Sequence, residues 1–153
     1  MQRVNVPKLE SEAYRALLTL ERANSKSKLP EKYKQIIRVR ASYINGCAYC
    51  IDMHTRDAKK AGETDQRLYA LCAWHESPLF SDEERAMLAL IDEVTMISGH
   101  GVSDEVYENA AKFIDEKLIA DMIMMIGVIN YWNRIAISTH EIYTDKTGKK
   151  IGS

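Results

Sequence analysis

The sequence predicts an all-α protein, a compact bundle of six or seven helices. Three observations carry that prediction. Apolar residues recur at three- and four-residue spacing over most of the chain, and nothing alternates apolar and polar residues for long enough to be a strand. Punctuating residues are few, with three prolines and seven glycines, and Pro30, Gly46, Gly62 and Pro78 fall between the periodic stretches. Cap residues stand where helices should begin.

The first helix is expected from about Lys8 to Asn24, with Leu9, Ala13, Ala16, Leu17 and Leu20 as its apolar stripe. Ser25-Lys26-Ser27-Lys28 then forms a polar connection. Pro30 opens a second helix, which Tyr33, Ile36, Ile37, Arg40 and Ile44 carry to Asn45-Gly46. A third begins at Asn45-Gly46-Cys47 and ends at Gly62, where a C-terminal cap glycine belongs. A fourth covers roughly Asp65 to His75 and stops before Pro78. Ser81 with Glu84 three residues on makes a capping box for a fifth, running through Ile97 until Ser98-Gly99-His100-Gly101 breaks it. Ser103 caps a sixth to about Phe113, and a last long helix runs from about Glu116 to Glu141. Tyr143 to Ser153 reads as a loose tail. No repeat or linker divides the chain, so one domain is expected over residues 1–153, with its core at about 30–142.

Composition narrows the function. A chain of 153 residues buries about 70% of the surface its unfolded form exposes, enough for a real core. With 46% hydrophobic and 28% charged residues, disorder and collagen-like structure are excluded. Twenty-one basic side chains against 22 acidic ones leave a net charge of −1, so no field of one sign draws in nucleic acid or an anionic membrane. The longest apolar run, Met122 to Ile129, is too short to span a bilayer. It is nonetheless apolar on every face, which predicts a helix either central to the domain or covered in part by a neighbouring copy. Three cysteines and an N-terminus without a secretory pattern fit a reducing, cytoplasmic compartment. There a close cysteine pair is more often catalytic or metal-binding than a staple.

That pair lies in Cys47-Ala48-Tyr49-Cys50-Ile51-Asp52-Met53-His54. On a helix, Cys47, Cys50, Ile51, His54, Ala58 and Ala61 share one face, while Asp52, Arg56, Lys59 and Lys60 lie away from it. Cysteines three apart have Cα atoms roughly 5 Å apart, within disulfide range. The helix start favours thiolate over thiol, which points to Cys47, whereas closeness to the proton-accepting His54 points to Cys50. Zinc is the competing reading, with Cys72, His75, His100 or His140 as a fourth ligand, but no second closely spaced ligand pair supports it. Cys72, beside Ala73 and Trp74, reads as a small buried hydrophobe. The other three histidines sit at helix ends or loops, where capping or solvation is expected.

The segment Ile44 to Thr55, followed by Ala61-Gly62-Glu63, resembles the core motif of the AhpD-like alkylhydroperoxidases of the carboxymuconolactone decarboxylase superfamily. The resemblance extends to Ala73-Trp74-His75-Glu76, Phe80-Ser81, Glu84-Arg85-Ala86 and Asn130-Tyr131-Trp132-Asn133-Arg134, covering about residues 30 to 140. It implies an all-helical AhpD-like fold, assembled as a homo-trimer or homo-hexamer. It also implies a dithiol peroxidase in which Cys50 attacks the peroxide, Cys47 resolves the product to a disulfide and His54 belongs to a proton relay. No flavin, haem, nicotinamide or metal is called for. The partners implied are a peroxide and a dithiol or thioredoxin-like reductant. One departure stands out. Redox members carry a glutamate twelve residues before the first cysteine, and here that position is Gln35, an amide that cannot accept the proton. Glu31, one turn earlier, and Glu76 are the candidate substitutes. The competing functions are thiol–disulfide exchange with a partner protein, and a structural or zinc-stabilised helical oligomer.

Overall fold

The structure is a computed structural model and describes residues 2–141. The stretch read as a loose tail lies outside the described residues. Every described element is helical, as expected: α1 (Val6–Leu9), α2 (Ser11–Ser25), α3 (Glu31–Asn45), α4 (Ala48–Lys60), α5 (Asp65–Ala70), a 3-10 helix (Leu71–Glu76), α6 (Asp82–Thr95), α7 (Asp104–Ala111) and α8 (Glu116–Thr139). Among the described residues none of these helices is long and apolar enough to cross a membrane.

The element count exceeds six or seven because two expected helices are each divided. The first breaks at Glu10 (φ −122°, ψ 50°), since Asn5 caps a separate turn by accepting from the Lys8 N–H at 2.9 Å, with Pro7 in its first turn. The fourth passes from α5 into the 3-10 helix, with Ala73 outside helical geometry (φ −128°, ψ 40°). At three residues per turn Leu71 and Trp74 both point inward and Cys72 between them points out. The expectation of a buried Cys72 is therefore corrected: this thiol is exposed, and its Sγ donates to the Tyr69 carbonyl. Elsewhere the caps fall where the residues placed them. Ser81 and Glu84 form the complete capping box, Ser103 caps α7, and α8 ends at His140 in the left-handed conformation. The sixth helix stops at Ala111, two residues short of Phe113.

The core is built around α3 and α8, which pack on each other and on α2, α4 and α6. Ile37, Val39, Leu88, Ile91, Met122 and Ile126 are fully enclosed there. A buried ion pair fixes the frame. Arg40 on α3 grips Asp92 on α6 with two bonds of 2.7 and 2.8 Å and reaches the Leu71 carbonyl, while the Trp74 indole donates to the same carboxylate. The long apolar helix is central to the domain on one side only. Met122, Met125, Ile126 and Ile129 are central, whereas Ile123, Met124, Tyr131 and Ile137 on its other side are 42, 49, 55 and 44% exposed.

Candidate active site

The site begins at the joint between α3 and α4. Gly46 takes φ +69°, the left-handed conformation that suits glycine, and closes α3. The chain reverses at once, and the Cys47 N–H bonds back to the Ser42 carbonyl at 3.0 Å. This places Cys47 as the N-cap of α4, with its sulfur accepting from the Cys50 N–H at 3.4 Å. Cys47 and Cys50 are 1% and 2% exposed, and His54 and Ala58 continue the same buried face. Arg56, Lys59 and Lys60 face solvent, as their spacing requires.

The two thiols share a hydrogen bond and so ionise together. The bond from Cys50, helped by the Cys50 N–H, holds the Cys47 thiol well below its ordinary range. Giving that bond and being buried push Cys50 far up. In the reduced pair the charge therefore rests on Cys47, the residue nearer the helix start.

His54 is lowered to about 4, first by burial and then by the Arg38 guanidinium nearby. Arg38 is itself held by Glu21 at 2.7 Å. The imidazole is thus neutral near pH 7. Its Nδ1 lies 3.3 Å from the Gln35 carbonyl oxygen, which only accepts, so Nδ1 carries the hydrogen and Nε2 is left as the acceptor. Gln35 in turn donates to Glu31 at 2.7 Å. Of the two candidate carboxylates, Glu31 is thus joined to His54 through Gln35. Glu76 is exposed at the end of the 3-10 helix and does not line the site.

The buried imidazole has a measurable consequence. Because it binds its proton more weakly folded than unfolded, stability is full above about pH 6.5 and falls as pH drops towards about 4. The loss from this group amounts to about 3 kcal/mol. Urea unfolding of the native chain and of His54→Gln across that range is expected to show their stability difference shrinking or reversing as pH falls. A constant difference would place the imidazole in a solvent-like setting.

Cys50 and His54 open onto a cavity of about 450 Å³. Tyr14, Leu18 and Glu21 of α2 form one wall, Tyr49 and Met53 of α4 another, and Trp132, Ile135 and Ala136 of α8 a third. Tyr14 meets Trp132 edge to face at 5.3 Å, and the Trp132 indole donates to Glu21 at 3.2 Å. The segment before α1 closes one end, tied down by the Arg3 N–H on the Thr139 carbonyl. Cys47 does not line the cavity; it lies behind Cys50.

All four expected residues, Gln35, Cys47, Cys50 and His54, are therefore brought together. His75, His100 and His140 are exposed and stand apart from them, as does Cys72. Among the described residues no group of three His, Cys, Asp or Glu side chains is arranged to hold a metal ion. The cavity walls on α2 and α8 were not expected from the sequence.

This fold and site define a class: helical proteins with a buried CxxC dithiol at the start of a helix and a histidine one turn on. Residues 11–93 match the model of the carboxymuconolactone decarboxylase family, and the chain belongs to that family. It is 40% identical to the uncharacterized protein YdfG of Bacillus subtilis (strain 168), over 90% of this chain and 93% of that one. In structure it is similar to an Agrobacterium tumefaciens protein of unknown function, described as a candidate antioxidant defence protein AhpD. The TM-score is 0.92 at 34% identity, covering 95% of this chain and all of that one. An uncharacterized peroxidase-related protein from Silicibacter sp. TM1040 shares the fold, with a TM-score of 0.75 at 23% identity over 85% and 69% of the two chains. The fold is AhpD-like.

Proposed function

We propose that the protein is a cysteine-based antioxidant peroxidase that reduces organic hydroperoxides or hydrogen peroxide through a Cys47–Cys50 dithiol–disulfide cycle. One observation carries the reading: Cys50 and His54 face the same cavity, with Cys47 in hydrogen-bonding contact directly behind the buried Cys50. The Agrobacterium relative's description points the same way.

The resting pair holds its charge on Cys47 and its proton on Cys50. Passing that proton to Cys47, or to the Nε2 of neutral His54, makes Cys50 the thiolate at the cavity wall. Its sulfur attacks the terminal peroxide oxygen, the O–O bond breaks, and the departing alkoxide takes up a proton to leave as the alcohol. Cys50 is then a sulfenic acid. Cys47 attacks that sulfur, water leaves, and the disulfide forms. An external dithiol or thioredoxin-like protein returns both electrons. Gln35 orients the imidazole here and Glu31 orients Gln35, so the relay operates with its carboxylate one residue further from the ring. The test is peroxide turnover with a panel of donors that includes a dihydrolipoamide-type dithiol and thioredoxin. Consumption sustained by at least one donor is expected; reduction of a partner protein's disulfide, or oxidation of its thiols, with no peroxide consumed would favour thiol–disulfide exchange instead.

Assembly is the second part of the proposal. The exposed stripe of Ile123, Met124, Tyr131 and Ile137 on α8 is a large apolar surface for a small domain to leave in water. A homo-trimer or homo-hexamer covers it. Light scattering is expected to give a trimeric or hexameric mass. A monomer at micromolar concentration, with no loss of stability on dilution, would defeat this.

A further inference from the structure

We infer that the cavity in front of Cys50 selects its substrate by charge, admitting uncharged hydroperoxides with an aromatic or compact apolar group and turning away anionic ones, such as those of free fatty acids. Calling the guest a hydroperoxide rests on the peroxidase reading; the selection itself rests on the cavity. Cys50 and His54 are buried and both line it, so a reagent that meets the Cys50 sulfur meets these walls as well. Tyr14, Tyr49 and Trp132 put three aromatic rings on the walls, and Leu18, Met53 and Ile135 add apolar surface. Its volume of about 450 Å³ lies within the range of small-molecule sites, about 300–1,000 Å³. Hydrogen peroxide gains nothing from such walls, whereas an aryl group gains burial and ring contact.

The charges in the lining are all of one sign. Glu21 and Glu141 both face the cavity, and among the described residues no lysine or arginine does. Arg38 pairs with Glu21 at 2.7 Å but does not itself line the cavity, so the carboxylate is the member of that pair that a guest meets. Glu141 accepts from a neutral amide, the Gln2 Nε2 at 3.1 Å, and among the described residues no cation pairs with it. The imidazole of His54, lowered to about 4, supplies no positive charge near pH 7. An anion entering here leaves water, meets two carboxylates and finds no cation to replace its hydration. An uncharged guest bears neither cost. Glu21 also accepts the Trp132 indole hydrogen at 3.2 Å, so one carboxylate sets both the aromatic wall and the charge beside it.

Iodoacetamide and iodoacetate test the selection with no peroxide present, since they are close in size and differ by one negative charge. In a Cys72→Ser background, alkylation of Cys50 is located by peptide mass, and the two rates are compared with those of a small free thiol. The neutral reagent is expected to be favoured by a further factor of roughly ten. Glu141→Gln, which keeps an acceptor for Gln2, is expected to narrow that ratio severalfold. Glu21→Gln is expected to narrow it more, because the Arg38 charge then stands unanswered. A native ratio equal to that of the free thiol would overturn the proposal, and this measurement needs no variant to fold. So would a ratio that neither substitution moves, which would trace the repulsion to the charge on Cys47. In turnover, kcat/KM for cumene hydroperoxide is expected to exceed that for its para-carboxylate roughly tenfold, and equal values would contradict the selection. Charge selection in alkylation with neither peroxide consumed would sink the peroxidase reading and leave the selection standing.

Discussion

Cys50→Ser is expected to abolish reaction with peroxide altogether, because a hydroxyl has neither the acidity nor the nucleophilicity of a thiol. Cys47→Ser is expected to behave differently. Serine is a favoured N-cap, so the start of α4 survives the exchange. Cys50 then still reacts once, more slowly because the neighbouring sulfur that takes its proton is gone. Its sulfenic acid has no partner and can climb to sulfinic acid. A sulfenic-acid trapping reagent with intact-mass readout separates the two variants. The charge on Cys47 in the reduced pair gives the reverse assignment a physical basis. Label in Cys50→Ser and none in Cys47→Ser would hand the nucleophile's role to Cys47.

Gln35→Glu is the second large effect. The substitution puts a carboxylate where the amide oxygen now lies 3.3 Å from the His54 Nδ1. An anion there opposes the burial and the Arg38 charge that hold His54 at about 4, raising its basicity towards the working pH. Turnover is expected to rise towards the ~10²-fold lower edge of general base catalysis, since neutral His54 already accepts a proton to some extent. Glu31 now loses the hydrogen that Gln35 gives it and stands beside a second carboxylate, which limits the gain. A variant that folds normally with unchanged or lower turnover would show that Gln35 is not standing in for a missing base.

The helical class and most boundaries were legible because the signals are local. Pro30, Gly46, the Ser81–Glu84 box and the Ser103 cap each act within four residues, and each ends or begins a helix in the structure. The face shared by Cys47, Cys50 and His54 was legible for the same reason: it follows from 3.6 residues per turn. Cys72 was misread because a run of small and apolar neighbours looks buried at α-helical spacing. The change to three residues per turn is set by the packing of Leu71 and Trp74 and by Arg40 bonding the Leu71 carbonyl. The break at Glu10 was missed because Leu9 and Ala13 keep a helical spacing across it. The cavity could not be read at all. Tyr14, Glu21 and Trp132 meet across more than a hundred residues of sequence, and no local pattern records that.

The electrostatics divide in the same way. The helix start pointed to Cys47, and the Cys47 thiol is the one held low, though chiefly by the bond from Cys50; Glu31 is joined to His54 through Gln35. The role of Arg38 was hidden, because its effect on His54 depends on how α3 and α4 pack.

The most direct test of the peroxidase reading is a count of free thiols before and after one equivalent of cumene hydroperoxide. The reduced chain has three. A dithiol peroxidase is expected to lose the Cys47 and Cys50 thiols together, release one equivalent of the alcohol and keep the thiol of Cys72. Three thiols remaining with the peroxide intact, or loss confined to exposed Cys72, would contradict it.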